Sequence, residues 1–287
     1  MVRSKSDKVF NVVNVTIICL LTLTFIIPVM LILSASVSSS YSFAQYGYTI
    51  FPKVVDFYAY EYVFVQNPLF VRSLGNSVYV TVVGTILMIL NCALYAYTLI
   101  QKDFVGKKFF SLFAVFTMLF AGGTIPYYLV VTGVGLENSL WSVILPGSIS
   151  AWNILLMRNF FASIPHSLLE AAGLDGASHG KILLKVVLPM SFPVIATVIL
   201  FTAVGFWNNW FGPLLFIDKN HREIAPIQSI LREITQDVSA IVGQNSDLPV
   251  EAIQNATVVV ATLPIIIVYP ALQKYFINGM MLGSVKE

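Results

Sequence analysis

Six stretches of this chain run for about 20 residues with no Asp, Glu, Lys or Arg away from their ends, at about 12–33, 77–100, 108–131, 140–160, 191–211 and 256–276. A bilayer's hydrocarbon core is about 30 Å thick, and a helix needs roughly 20 apolar residues to cross it. A charge at the centre of such a helix costs roughly 2.5–3.5 kcal/mol on insertion scales, so charge-free runs of this length are a membrane signature. Only 10 % of the residues are charged and 57 % are hydrophobic, too little charge for a soluble domain of 287 residues. The expected fold is therefore an all-α integral membrane protein with six transmembrane helices, forming a single domain over residues 1–287.

The formal net charge of +2 leaves no large basic surface for nucleic acid. Cys19 and Cys92 both fall within apolar runs and read as small buried hydrophobes, not as a disulfide or a metal framework. Arg3, Lys5 and Lys8 precede an apolar run that ends near Ser34-Ala35-Ser36, which has the look of a secretory signal. That run is about 20 residues long, however, and a signal's apolar region is about 7–15. An uncleaved first helix is expected.

Lys and Arg gather on alternate connections. Arg3, Lys5 and Lys8, then Lys102, Lys107 and Lys108, then Arg158, Lys181 and Lys185, and finally Lys274 and Lys286 share one side. The other side holds Lys53, Arg72, Lys219, Arg222 and Arg232, with none around Gly133–Leu136. The positive-inside bias places both termini and the 158–190 connection in the cytoplasm. Of the two long external connections, residues 34–76 carry Tyr41, Tyr46, Tyr48, Tyr58, Tyr60 and Tyr62. They suit an interfacial belt or a partner-facing segment. Residues 212–255 are more polar, with Asp218, Glu223, Glu233, Asp237, Asp247 and Glu251, and are expected to fold outside the membrane.

The connection after the fourth stretch reads NFFASIPHSLLEAAGLDGASHGKILLKVVLPMSFP over residues 159–193. Ser163 can cap a helix whose first turn holds Pro165, where a missing N–H costs nothing. Leu168, Leu169 and Ala172 give that helix an apolar stripe beside Glu170. Gly173 and Gly176 offer places to end it, Asp175 can cap a second short helix, and Pro189 and Pro193 lead into the next span. The expectation is an elbow of two short helices. Small residues at 171–173 and 176 let another protein approach the backbone, and Glu170 offers a charge to pair with.

EAAGLDGASHGKILLKVVLP resembles the EAA loop of type I ABC importer permeases, with Glu170, Ala171, Ala172, Gly173, Asp175 and Gly176 followed by Leu188-Pro189. Val186 stands where that family more often has Ile. The resemblance extends to NSVYVTVVGT at 76–85, AGGTIPYYLV at 121–130, AWNILLMRNFFASIP at 151–165, FWNNWFGPLLF at 206–216 and the C-terminal YPALQKYFINGMMLGSVKE. Together these are similar to the branch that imports oligo- and polysaccharides. The resemblance implies six helices, a second homologous permease subunit, two ATPase subunits that bind the ATP and Mg, and an extracytoplasmic sugar-binding protein. It also implies that Glu170 and its neighbours form a coupling helix seated in the ATPase.

Sugars are held by aromatic faces and by hydrogen bonds to neutral polar side chains. Trp152 and Asn153 in the fourth stretch, and Trp207, Asn208, Asn209 and Trp210 in the fifth, fit that need; interhelical bonding and interfacial anchoring account for them equally well. Asn91 reads as a helix-bonding residue. Gly122 and Gly123 with Pro126 read as a kinked helix end. His166, His179 and His221 have no metal-ligand spacing, and His166 and His179 are expected as solvated residues at the docking surface. Gly180-Lys181 lacks the remaining glycines of a phosphate-cradling loop. An ion-coupled secondary carrier is the alternative reading, but such carriers keep ionisable residues near mid-membrane, and none is found here. An enzyme would need a cluster of acids, bases or metal ligands, and the sequence offers none.

Overall fold

The computed structural model describes residues 5–236 and 248–284. Arg3, Asp237, Asp247 and Lys286 lie outside the described residues. Among the described residues there is one isolated β-bridge, between Ser38 and Val55, and otherwise helix and connection. The chain divides into two compact units: Met1–Val71 with Leu231–Leu263, and Arg72–Ile230 with Pro264–Glu287.

In the first unit, α1 (Lys5–Ser36) is apolar all round, and none of its most apolar window is buried. A helix with no polar face suits lipid or another membrane helix. Cys19 is accordingly exposed, against the sequence expectation, while Cys92 is buried; both thiols are free. The short α2 (Ser40–Tyr46) is capped by Ser39, whose side chain accepts from the Ser42 amide. α3 (Tyr58–Glu61) is tied back to the end of α1 by a 2.9 Å bond between the Tyr60 and Ser36 hydroxyls.

The second unit is built on α4 (Pro68–Ile100), 33 residues without an internal proline. At 1.5 Å per residue it is about 50 Å long. α5 (Lys107–Leu119) and α6 (Thr124–Gly133) follow, bent by 117° about residues 120–123. Gly123 makes that bend possible, its φ of +88° being open to glycine and strained for other residues. This agrees with the kink expected at Gly122-Gly123.

The 140–160 stretch is two helices, α7 (Trp141–Gly147) and α8 (Ala151–Ala162), with a break at 148–150. Pro146 and Gly147 end α7, and the freed backbone finds side-chain partners. Asn91 Nδ2 donates to the Ser148 carbonyl at 3.0 Å, and Ser150 caps α8 by accepting from the Asn153 amide. Among the described residues three helices are long and apolar enough to cross a membrane, Lys8–Ser36, Pro68–Ile100 and Val250–Val268, or up to five counting each of two bent pairs as one. The second bent pair, at 83°, joins His179–Met190 to Phe192–Trp207.

Next come α9 (His166–Leu174), α10 (His179–Ile182) and, after a π-turn at 183–187, α11 (Leu188–Met190) and α12 (Phe192–Trp207). The main core joins α4, α8 and α12 through buried Cys92, Ala96, Met157, Phe161, Val187 and Val198. A second cluster gathers Val80, Val143 and Ile144 around Phe206. α13 (Phe211–Phe216), the amphipathic α14 (Ile227–Gln236) and α15 (Val250–Ser284) complete the chain.

The Phe206 ring is flanked by two glycines. A Cβ added at Gly84 would lie 2.6 Å from its ring atoms, and one at Gly147 would lie 2.7 Å away. The ring cannot retreat from one without meeting the other. Gly147→Val should therefore cost about 1–3 kcal/mol, as overpacked cores do. In a melting experiment in detergent, Gly147→Val should lower the transition, and adding Phe206→Ala should return part of the loss. Simple additivity of the two losses would contradict the clamp.

Candidate functional site

The elbow at 163–190 differs in detail from the sequence expectation. Ser163 ends α8: its hydroxyl donates to the Phe160 carbonyl at 2.7 Å and caps nothing downstream. The α9 N-cap is Pro165, in extended conformation, and the Leu168 amide reaches its carbonyl at 3.1 Å. Asp175 is the C-cap of α9, not the N-cap of a second helix; that place falls to Ser178. Gly173 lies inside α9, and Gly176 makes the turn with φ +78°. The Ala177 amide closes it on the Ala172 carbonyl at 3.0 Å.

Ile164 before α9, and Ile182, Leu183 and Val187 after it, are buried in the core, whereas α9 packs on it only through the partly buried Leu169 and Ala172 and has no buried residue. Glu170, Ala171, Gly173, Asp175, Gly176 and Pro189 face outward, while Leu188 is half-buried against the core. Leu168 joins the outward face, 44 % exposed, and so departs from the expected inward stripe; Leu174 is 90 % exposed. The helix thus presents two bare leucines beside a carboxylate.

Glu170 already has a partner within the chain. Lys102 Nζ donates to its Oε1 at 2.8 Å, and the two side chains remain 62 % and 63 % exposed. The lysine's hydrogen bond, then its charge, lowers the Glu170 carboxyl below its ordinary value, and the same bond raises the Lys102 ammonium. Sequence reasoning missed this pair, because 68 residues separate its members. His179, expected as solvated, lies 3.3 Å from the Tyr97 hydroxyl through Nδ1. Both ties reach the same end of α4. In its first half, Asn76 Nδ2 donates to the Glu223 carbonyl at 2.9 Å, and the Ser77 hydroxyl accepts from the Ile227 amide at 2.8 Å.

The six residues considered for a substrate path part company. Asn153 and Asn209 line one cavity of about 270 Å³ with Ser150, Thr202, Phe201 and Phe206. Asn153 Nδ2 lies 3.5 Å from the Thr202 hydroxyl, and Asn209 Oδ1 accepts from the Gly212 amide at 3.0 Å. Trp207 lines a separate, predominantly apolar cavity with Val78, Leu200 and Pro264. Trp152 is 60 % exposed, Trp210 meets Phe211 edge-on, and Asn208 Nδ2 bonds the Val204 carbonyl of its own helix. Among the described residues no three His, Cys, Asp or Glu side chains gather to hold a metal ion.

Residues 2–281 match the family model described as the binding-protein-dependent transport system inner membrane component. The chain belongs to this family. It is similar to Protein LplC of Bacillus subtilis (strain 168), 40 % identical over 291 residues covering 100 % of this chain and 98 % of the relative. It is also similar to the polygalacturonan/rhamnogalacturonan transport system permease protein YtcP of the same strain, 37 % identical over 98 % of this chain and 99 % of that protein. In three dimensions it resembles a chain from a bacterial ABC transporter involved in the import of the acidic polysaccharide alginate, with a TM-score of 0.86 and 33 % identity. That match covers 96 % of this chain and 99 % of the other. The permease is thus an inner membrane component, and its type I fold is that of the matched transporter.

A further polar cluster ties the connection after α6 of the permease to the one after α13. Asn138, at φ +54°, accepts from the Asp218 amide at 2.9 Å and donates to Asp218 Oδ2 at 3.0 Å. Asp218 Oδ1 accepts from the Asn220 and His221 amides and lies 2.9 Å from His221 Nδ1. The Asp218 hydrogen bond raises His221 above its ordinary value, and the same bond lowers Asp218. The histidine's contribution is therefore complete below the ordinary imidazole value and lost as pH rises through the raised one. The aspartate's is complete above the ordinary carboxyl value and lost as pH falls through the lowered one. NMR titration of His221 should give a midpoint above 6.5. Exchange of the Asn220 and His221 amides, corrected for intrinsic rate, should quicken beyond it. A midpoint at or below 6.5 would contradict the clasp.

Proposed function

We propose that the chain is the membrane-spanning permease subunit of an ABC importer for an oligo- or polysaccharide, and that it works by alternating access. Family membership over residues 2–281 and the outward-facing elbow together carry this reading. The carbohydrate substrate is supported by the names of the relatives and of the matched transporter. The chain forms one transmembrane domain with spans near 12–33, 77–100, 108–131, 140–160, 191–211 and 256–276, some of them broken. Both termini and the elbow face the cytoplasm, in line with the Lys and Arg distribution.

The partners are a second homologous permease, two ATPase subunits and an extracytoplasmic binding protein. The ATPase subunits bind ATP and Mg; this chain hydrolyses none. When ATP draws the two ATPases together, each moves the elbow seated in it. Leu168 and Leu174 fill the ATPase cleft and Glu170 pairs with a basic residue there. Helices α8 and α12, attached to either side of the elbow, rock and open the path outward. Hydrolysis returns the path inward.

Asn153 and Asn209 are the residues we assign to the path, because they line one cavity with the Ser150 and Thr202 hydroxyls and the Phe201 ring. That lining has no charge, so it suits the hydroxyls and ring faces of a sugar. Any uronate carboxylates would be met elsewhere in the assembly.

The test begins with a tagged permease purified in detergent from its native host. A second permease and an ATPase should accompany it, and the binding protein can then be screened against neutral and acidic oligosaccharides. In the reconstituted complex, Glu170→Lys should leave membrane insertion intact, abolish most uptake and leave ATP hydrolysis unresponsive to the loaded binding protein. Undiminished uptake by that variant would sink the docking role. A lone homo-oligomer taking up solute on an ion gradient would replace the importer with a secondary carrier.

A further inference from the structure

The α9 half of the elbow is held to its unit by little apolar surface: none of its nine residues is buried, and Leu169 and Ala172 are the ones that pack on the core. Two such contacts on one side leave a short helix free to roll about its axis. What restrains the roll is polar: Lys102 Nζ binds Glu170 Oε1 at 2.8 Å. The α10 half is anchored by buried Ile182, and the Tyr97 hydroxyl meets His179 Nδ1 there at 3.3 Å. Both polar ties come from one place, the last turn of α4 and the residues just beyond it.

The pairing also orients the carboxylate. Oε1 is engaged by Lys102, while Glu170 keeps 63 % of its side-chain surface exposed, and Oε2 makes no hydrogen bond among the described residues. The free oxygen lies on the same short helix as the bare Leu168 and Leu174. An unpaired glutamate on an exposed turn would sample several rotamers, and ordering it on docking would carry an entropic penalty. α4 itself runs 33 residues without an internal proline, and in its first half Asn76 and Ser77 hold the backbone at 223–227.

We propose that Lys102 is a positioning residue of the coupling step. By holding Oε1 it presents Oε2 of Glu170 to the ATPase and fastens α9 to the end of α4, so that movement of the elbow is delivered to α4 as well as to α8 and α12. This inference rests on the reading of the elbow as the ATPase dock.

The test uses the whole importer reconstituted in proteoliposomes, with uptake measured per ATP hydrolysed. Lys102→Met should lower that ratio by about two- to fivefold, the range an exposed ion pair supports. Lys102→Arg, which keeps the charge and the donor, should restore it. The gap between wild type and Lys102→Met should narrow as salt approaches about 1 M, where charges are screened within about 3 Å. A merely structural lysine would lower yield or melting temperature and leave the ratio and its salt dependence alone. If Lys102→Met matches wild type in uptake per ATP while Glu170→Gln is impaired, the dock stands and the role of Lys102 falls. If Lys102→Arg is as impaired as Lys102→Met, the pair is not what matters and the proposal also falls. If both Lys102→Met and Glu170→Gln match wild type, the docking reading fails and takes this inference with it.

Discussion

A backbone amide or carbonyl in hydrocarbon must find a partner inside the protein, since no water is there to supply one. This chain interrupts its helices at 120–123, at 148–150, at Ser191 and at 208–210. Much of its polar inventory in apolar sequence repairs those interruptions. Asn91 reaches the Ser148 carbonyl, and the Ser148 hydroxyl returns to the Leu145 carbonyl at 2.7 Å. Asn208 bonds the Val204 carbonyl and Asn209 accepts from the Gly212 amide. The interruptions are tolerable because these side chains stand beside them, and the placing of cavities and elbow follows from where the helices break.

The one long element in this unit without a break or an internal proline is α4, and much else refers to it. Gly84 gives room for Phe206, Asn91 mends the break between α7 and α8, and Cys92 and Ala96 are central to the main core. Its last turn and the residues just beyond hold the elbow, and Asn76 and Ser77, nearer its start, hold the 223–227 backbone. An unbroken helix tied at two places moves as a body, since side-chain packing is too dense to absorb a shift gradually. On the proposed coupling role, movement of the elbow would reach the 223–227 backbone through one helix, without any wire of successive contacts.

The sequence was most legible where a signal is local. The kink at Gly122-Gly123 and the turn at Gly176 are each decided within a few residues, and each is found at its expected place. It was less legible where two nearby residues compete for one task. Asp175 and Ser178 are both cap-forming types, and Ser178 took the second N-cap while Asp175 closed α9; Ser163, at the end of α8, lost the first. Pro165, extended, took the first N-cap instead. The continuous run at 140–160 hid its break because Pro146 and Gly147 sit among apolar neighbours that keep the hydropathy high. The partner of Glu170 was beyond reach altogether, being fixed by how the end of α4 meets α9.

Among the amides considered for the path, Asn153 is the one whose position is not explained by repair. It is buried, and its Nδ2 makes a single long contact of 3.5 Å with Thr202, at the limit of a hydrogen bond. A buried amide so poorly served costs about 1–3 kcal/mol unless something else bonds it. The cavity it lines, with Ser150, Thr202 and Asn209, is wide enough for water to do so. A sugar hydroxyl entering there would replace one hydrogen-bonded oxygen with another, for a small net gain. On the proposed path that weak gain is an advantage, since a passenger bound much more tightly than the water it displaced would not leave. Under that proposal the lining suits passing a carbohydrate better than choosing one, and selection would fall to a binding protein.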